Sequence, residues 1–485
     1  MKPVPAIRIS SCNQAPIRPG RDYVLYWMVA ARRPRFNFGL QRAVELAAEH
    51  GKGLLVFEPL RCGYPWANDR IHQFVLEGMQ ANAKAFESTP VAYYPYVEPE
   101  DGAGRGLLRT LSERAVAVVT DEFPCFFLPH MVAAAADQLN VQLEQCDSNG
   151  LYPLRAAGRE FTVAHSFRRH LQKELCRHLA DQPLEEPLHQ ARLPATRVPT
   201  DILERWAPAD LGRLRGDLSS LPIDHSVPAT PAVGGWEAAQ GLAAWFDRAF
   251  NVYVENRNEP DYDITSHISA WLHFGHLSSW EVLQYLAWRC DWTPGDITGK
   301  TDGRRGWWGF DENGEAFADQ VFVWRELGYQ FCHRHPDGYD AFESLPDFAR
   351  ETLYLHESDK RPHTCTLEQF ERAETHDEVW NAAQRQLLIE GRIHNYMRML
   401  WGKKILHWTE SPRQALEFMV HLNNKYALDG RDPNSYSGIG WCLGRFDRAW
   451  GPERPVFGKV RYMTSESTRR KCRIEDYLQR FGRNA

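Results

Sequence analysis

The sequence predicts an α/β N-terminal domain with a Rossmann-like parallel sheet, followed by an all-α C-terminal domain. Three observations carry this. Short apolar runs alternate with helical periodicity through the first third of the chain. A Pro-rich stretch without periodicity follows at 183–232. From 234 onward, patterns of period 3.6 dominate. At 485 residues the chain exceeds one ordinary core. The expected division is a domain at 1–182, a connection at 183–232 and a helical domain at 233–485.

YVLYWMVA (23–30) has the continuous apolar character of a buried strand. FNFGLQRAVELAAEHGKG (36–53) is periodic and stops at glycine, so it reads as a helix. GLLVFEPL (53–60), AVAVVTDEF (115–123) and NVQLEQCD (140–147) are further strands. No GxGxxG follows the first strand, which argues against the usual dinucleotide site there. The strand ends at Trp27, Glu58 and Asp121 are expected to line a cleft. In the connection, DILERWAPADLGRLR (201–215) suggests one short helix. Beyond it, helices are expected over 234–257, 278–290, 317–335, 366–409 and 411–428.

Composition narrows the function classes. Hydrophobic content of 43% and charged content of 25% suit a globular protein. The N-terminus lacks the apolar core of a secretory signal, and no apolar run is long enough to span a membrane. Ten cysteines without a CxxC pair read as reduced thiols of a cytoplasmic protein. Cys332, His333 and His335 lack a second ligand pair, so no metal site is expected. The net charge of −6 excludes a uniformly basic nucleic-acid coat. From Pro452 to Ala485, however, nine Lys/Arg face four acids. A basic patch of that kind suits one phosphate-bearing face or a solvated tail. Seventeen tryptophans are the larger anomaly, pointing to aromatic packing, stacking platforms or redox-active rings.

Three stretches concentrate these features. In HNYMRMLWGKKILHW, Trp401 and Trp408 lie seven residues apart, two helical turns along nearly one face. Arg398 lies one turn before Trp401, and Trp380 starts the preceding helix. Heptad-spaced tryptophan is first of all a core pattern, and the alternative is a row of indoles passing an electron. In YDITSHISAWLHFGHLSSW, the hydroxyls of Thr265, Ser266 and Ser269 precede a helix, as an N-cap or an anion site would. The third stretch, 425–461, mixes Trp441 and Trp450 with glycines and charges of both signs.

ITSHISAWLHFGHLS, WNAAQ, MRMLWGKKILHWTESP, LNNKYALDGRDPN and ERPVFGKVRYM together resemble the photolyase/cryptochrome family, in particular class II cyclobutane pyrimidine dimer photolyases. The resemblance runs through the whole chain. It implies a C-terminal domain holding FAD in a bent shape, active as FADH⁻, and light-driven electron transfer to a flipped-out dimer in UV-damaged DNA. It matches Tyr253, Thr265, Ser266, His267, Ile268 and Ser269 to the diphosphate site, Arg398 and Asp429 to an ion pair beside the flavin, and Asn423 to the residue facing flavin N5. Trp380, Trp401 and Trp408 match the family's electron-transfer tryptophans. Trp324, Trp441, Tyr396 and Met399 match walls of the lesion pocket, and Arg257 a polar contact there. Arg448 and Trp450 match residues filling the space vacated in the duplex. A second light-harvesting chromophore, deazaflavin or flavin, stays open, and a monomer is expected.

Two positions depart from the pattern. Gln320 stands where the family has glutamate against the dimer's carbonyl edge. Glutamine donates a hydrogen bond there but does not readily transfer a proton. The loop WCLGRFDRAW is one residue shorter than expected and has Phe446 in place of histidine before Asp447. Gln320 keeps open an alternative reading, a cryptochrome-like photoreceptor with weak or no repair.

Overall fold

The computed structural model describes residues 2–482, so Arg483 of the basic segment lies outside the described residues. The chain forms two compact units that do not follow its linear order. The first contains the residues through Gly158, Glu174–Ala244 and Ile268–Asp291. The second contains Arg159–Lys173, Trp245–His267 and the chain from Trp292 onward.

The first unit is built on a sheet ordered β1-β6-β5-β2-β3-β4. Its strands are β1 (Ile9–Ser11), β2 (Tyr23–Trp27), β3 (Gly53–Leu60), β4 (Ala92–Val97), β5 (Ala115–Asp121) and β6 (Leu143–Cys146). All pairings are parallel except β1 with β6. All five residues of β2 are buried. Tyr23, Leu25 and Trp27 face one apolar layer with Leu55 and Phe57, while Val24 and Tyr26 face the other with Leu40 and Val44. The helix after β2, Phe38–Glu49, starts where the Asn37 side chain accepts the Leu40 N–H. The chain leaves it through Gly51, at φ 62°.

β1 and β4 are absent from the sequence reading for physical reasons. β1 has three residues. β4 carries Pro95, which removes a ladder donor and is tolerated because β4 lies at the sheet edge. The Pro-rich connection covers that edge: Ala209 N–H donates to Pro95 O at 3.0 Å, and Tyr94 OH donates to Trp206 O. Instead of one helix, the connection holds Thr200–Arg205 and Leu211–Gly216, separated around Pro208.

The expected cleft at the strand ends is filled. Trp27, Glu58 and Asp121 are 3%, 0% and 2% exposed. Asp121 Oδ2 accepts the N–H groups of Val29, Ala30 and Ala31 at 2.8–3.0 Å, and Oδ1 accepts Tyr26 OH at 2.6 Å. Glu58 accepts from Arg32, Asn82 and Tyr93. Hydrogen bonds to charged groups contribute roughly 1.5–3 kcal/mol each. Asp121 therefore fastens the chain leaving β2, and Glu58 ties β3 to Arg32, to Asn82 of the Asp69–Glu87 helix and to Tyr93 of β4.

The second unit is helical. Its core gathers Trp380, Met397, Leu400, Trp401, Leu406, Met419, Leu422, Leu443 and Phe457. The Asn395–Trp408 helix packs against Glu378–Glu390, Pro412–Tyr426 and Pro433–Cys442. The expected helix over 317–335 is three segments: Glu312–Ala318, a π-helical Asp319–Trp324 and Arg325–Arg334. The helix over 366–409 is also three, with breaks before Asp377 and at Gly391, φ 69°. No described helix is long and apolar enough to cross a membrane.

Candidate functional site

The Asn395–Trp408 helix presents two side-chain rows. Arg398, Trp401 and Trp408 lie along one, Tyr396, Met399 and Lys403 along the other. In the first row Trp401 and Trp408 do not meet directly. Trp380, from the first turn of Glu378–Glu390, inserts between them. Its ring stacks on Trp401 at 6.5 Å and 6°, and meets Trp408 at 6.2 Å and 68°. Trp380 Nε1 donates to Trp401 O at 3.0 Å, and Trp401 Nε1 donates to Gln384 Oε1 at 2.9 Å. All three indoles are at most 2% exposed. The order Trp401–Trp380–Trp408 comes from a neighbouring helix, so the seven-residue spacing alone does not contain it.

At the other end of that row, Arg398 faces Asp429 at 3.3 Å. Asn423, near the end of Pro412–Tyr426, donates Nδ2 to Ser435 Oγ at 3.1 Å. The carbonyl end of its amide is thereby left as the acceptor. Tyr253 is buried against Trp245 and Phe317, with the Arg257 guanidinium 5.8 Å from its ring, and burial pushes its phenol up.

The hydroxyl segment differs from its expected form. The helix begins at Ser269 with Ile268 as N-cap, and no side chain caps it. Thr265 and Ser266 stand outside it, so neither acts as a helix cap. Thr265, Ser266 and His267 belong to the second unit, Ile268 and Ser269 to the first. Thr265 Oγ1 lies 3.3 Å from His267 Nδ1, and His267 Nε2 lies 3.2 Å from Asp263 Oδ1. Arg392 grips Asp263 through two bonds of 3.1 and 2.8 Å. Burial works to raise the Asp263 carboxyl, but its bonds to His267 and Arg392 hold it well below the usual range. Asp263 and His267 both sit at positive φ, 43° and 56°. For side-chain-bearing residues this is strained backbone, of the kind that ligand clamps retain. Spacing along the chain gives no sign of Arg392.

Gln320 and Trp324 lie in the π-helical segment, where Arg325 N–H bonds to Gln320 O, and both are half-buried. Such turns are frequent at functional sites. Neighbouring Asp319 is 3% exposed and held by Arg168 Nε at 2.7 Å and Arg305 Nη2 at 3.3 Å. It is committed to those cations and does not replace a carboxylate at position 320.

Trp441 ends the Pro433–Cys442 helix beside the second row. Lys403 Nζ lies 4.9 Å from its ring centre and donates to Cys442 O at 2.8 Å. Burial pushes this ammonium down to about 8. Arg461 lies 5.3 Å from the Trp441 ring and 4.0 Å from that of Trp450, and Arg448 stands 4.5 Å from Trp450. Cation and ring thus alternate from Lys403 to Arg448. Asp447 ties the outer part together, accepting from Arg461 at 2.8 and 3.1 Å, Trp450 Nε1 at 3.2 Å and Arg448 N–H at 2.9 Å. Burial opposes its ionisation, but the Arg461 bonds hold its carboxyl below the usual value. Lys403, Asp447 and Arg461 were not singled out from sequence as site residues. Tyr396, Met399 and Arg257 are half-buried.

No protein-family model matches the chain. It is 33% identical over 473 residues to a deoxyribodipyrimidine photo-lyase of Methanothermobacter thermautotrophicus, covering 95% of this chain and 94% of that protein. It is 30% identical over 463 residues to the protein of that name from Potorous tridactylus, covering 93% and 80%. Its fold is similar to that of a class III photolyase from Agrobacterium tumefaciens, with TM-score 0.64, 18% identity and coverage of 95% and 86%.

Proposed function

This chain belongs to the deoxyribodipyrimidine photo-lyase family, and on that footing we propose that it is a class II enzyme, a cytoplasmic monomer, that uses FAD and light to split cyclobutane pyrimidine dimers in DNA. The carrying observation is the Asn395–Trp408 helix, which bears Trp401 and Trp408, the two ends of the buried indole row, along one face and Tyr396 and Met399 along another.

The donor set fits the cofactor. Arg398, Asp429 and the amide oxygen of Asn423 suit the polar edge of an isoalloxazine ring. Thr265 and Ser266, outside the helix, suit a diphosphate together with Tyr253 and His267, and Ile268 and Ser269 continue that segment. Bound FAD supplies a light-driven one-electron donor. The protein's part is position and electrostatics. Trp324 and Trp441 flank the extruded dimer, each base stack contributing roughly 1–3 kcal/mol against unstacking. Tyr396, Met399 and Arg257 complete the wall, and Arg448 and Trp450 occupy the gap in the duplex. The Ser465–Lys471 helix, with Arg469, Arg470 and Lys471 exposed, contributes phosphate contacts. Gln320 donates a hydrogen bond to the dimer's carbonyl edge.

Illumination of the reduced protein with an oligonucleotide bearing one thymine dimer, against a dark control, tests this by recovery of thymine absorbance. Gln320→Glu is expected to raise the splitting yield about twofold or more, because a carboxyl shares its proton with the reduced dimer. An unchanged yield removes the proton argument. Absent recovery with a photoreducible flavin favours the photoreceptor reading, for which Gln320 is the supporting residue.

The second chromophore has a candidate place in the first unit. Loops after β3 and β5 bring Tyr64, Trp66, Phe126 and Phe127 into contact at 5.0–6.1 Å, with Trp66 and Phe126 at φ 62° and 60°. Half-buried aromatics on strained backbone at the carboxyl ends of parallel strands suit a planar ring. Titration with a deazaflavin or FMN, read by quenching of protein fluorescence, is expected to saturate at one equivalent. No quenching would leave this cluster a packing feature.

A further inference from the structure

The indole row raises a proton question. An indole that loses an electron becomes far more acidic, and its N–H proton needs an acceptor. Trp408, at the outer end of the row, is only 1% exposed, so bulk water is a poor acceptor. Its ring meets Phe370 and Trp380, which cannot take a proton, and the ammonium of Lys404 at 5.1 Å, which has no acceptor. Its fourth ring neighbour is His376, edge-on at 4.6 Å. His376 is itself exposed and lies 3.7 Å from the equally exposed ring of His363.

Resting on the electron-relay reading above, we infer that His376 takes the indole proton of oxidised Trp408 and, exposed itself beside His363, gives it up to water. The balance is complete. One electron leaves Trp408 through Trp380 and Trp401 to a light-excited oxidised flavin. The Trp408 N–H bond then breaks, its electron pair stays on nitrogen, and the proton joins an imidazole nitrogen of His376. A neutral indolyl radical and an imidazolium remain, and an external thiol later returns the electron.

Electrostatics favour this order. The Lys404 ammonium, paired with Asp377 at 3.6 Å, disfavours a second positive charge on the adjacent ring and so promotes deprotonation. Partial desolvation, with the neighbouring His363 and Lys404, lowers the pKa of the exposed His376 ring against the opposing pull of Asp377, which favours its neutral, accepting form.

Laser-flash absorption on the flavin-loaded, full-length protein tests this, since cationic and neutral indolyl radicals have different spectra. His376→Phe is expected to slow conversion of cation to neutral radical at least tenfold without lowering the initial radical yield. His363→Ala, at an exposed position, is expected to keep both that conversion and proton release, read with a pH-indicator dye, within twofold of the wild type. Acidifying the wild type through the His376 pKa protonates the acceptor and should reproduce the His376→Phe slowing. Unchanged conversion in His376→Phe, or conversion in the wild type that accelerates with buffer concentration, overturns the inference alone. A wild type that forms no indolyl radical overturns the relay and the inference with it.

Discussion

Trp401→Phe is expected to reduce the initial rate of flavin photoreduction at least tenfold, while the chemically pre-reduced protein still splits dimers at close to the wild-type rate. Trp401 is the member of the row nearest Arg398 and stacks on Trp380 almost face to face, at 6°. Phenylalanine is much harder to oxidise than tryptophan, so it removes one hop and lengthens the next. In the proposed reaction, repair needs only an electron already on the flavin. The substitution has a structural cost: Gln384 Oε1, in a side chain with no exposure, loses the Trp401 N–H. A buried acceptor left unpaired costs about 1–3 kcal/mol. The variant should therefore melt earlier, and flavin occupancy must be measured before rates are compared. Bleaching of oxidised flavin under light with a thiol donor gives the first rate, and thymine absorbance after reduction gives the second. Equal loss of both would end the separation of relay from repair.

How legible these features were depends on how local their causes are. The buried strands at 23–27, 53–60 and 115–121 read directly as apolar runs, because burial on both faces leaves no other pattern, whereas 143–146 carries Glu144 and Gln145 between Leu143 and Cys146. β4 was hidden by Pro95, whose tolerance follows from an edge position that only the assembled sheet defines. Glu58 and Asp121 sit at strand ends, as a ligand site would require, but are used up by Arg32, Asn82, Tyr93, Tyr26 and three backbone amides. The helix 395–408 and its two tryptophans were readable, whereas the insertion of Trp380 depends on helix packing. Resemblance matched Arg398 with Asp429, and the structure pairs them. The Asp263–Arg392 pair spans 129 residues, and neither spacing nor resemblance marked it.

The alternation of cation and ring around Trp450 also depends on a long-range contact, and it leads to the second large expected effect. Asp447→Ala should lower the preference for dimer-bearing over intact duplex at least tenfold, about 1.4 kcal/mol in ΔΔG. Arg461 is held by a two-point grip on Asp447 and by ring contacts at 4.0 and 5.3 Å. An exposed cation–π contact is worth about 0.5–1 kcal/mol, whereas freezing an arginine side chain costs up to about 2 kcal/mol. The rings alone therefore do not keep Arg461 in place, and the charge-assisted bonds to Asp447 decide its position. Without them Arg461 and Trp450 loosen together, and in the proposed complex ordering them again upon a flipped lesion draws on the binding energy. Affinity for intact duplex should move the other way, rising about threefold at low salt, because removing a carboxylate makes the surface more positive. Titration of both duplexes at two salt concentrations separates the two effects. If both affinities rise together and their ratio holds, the carboxylate acts only as a charge, and the loop positions nothing at the lesion.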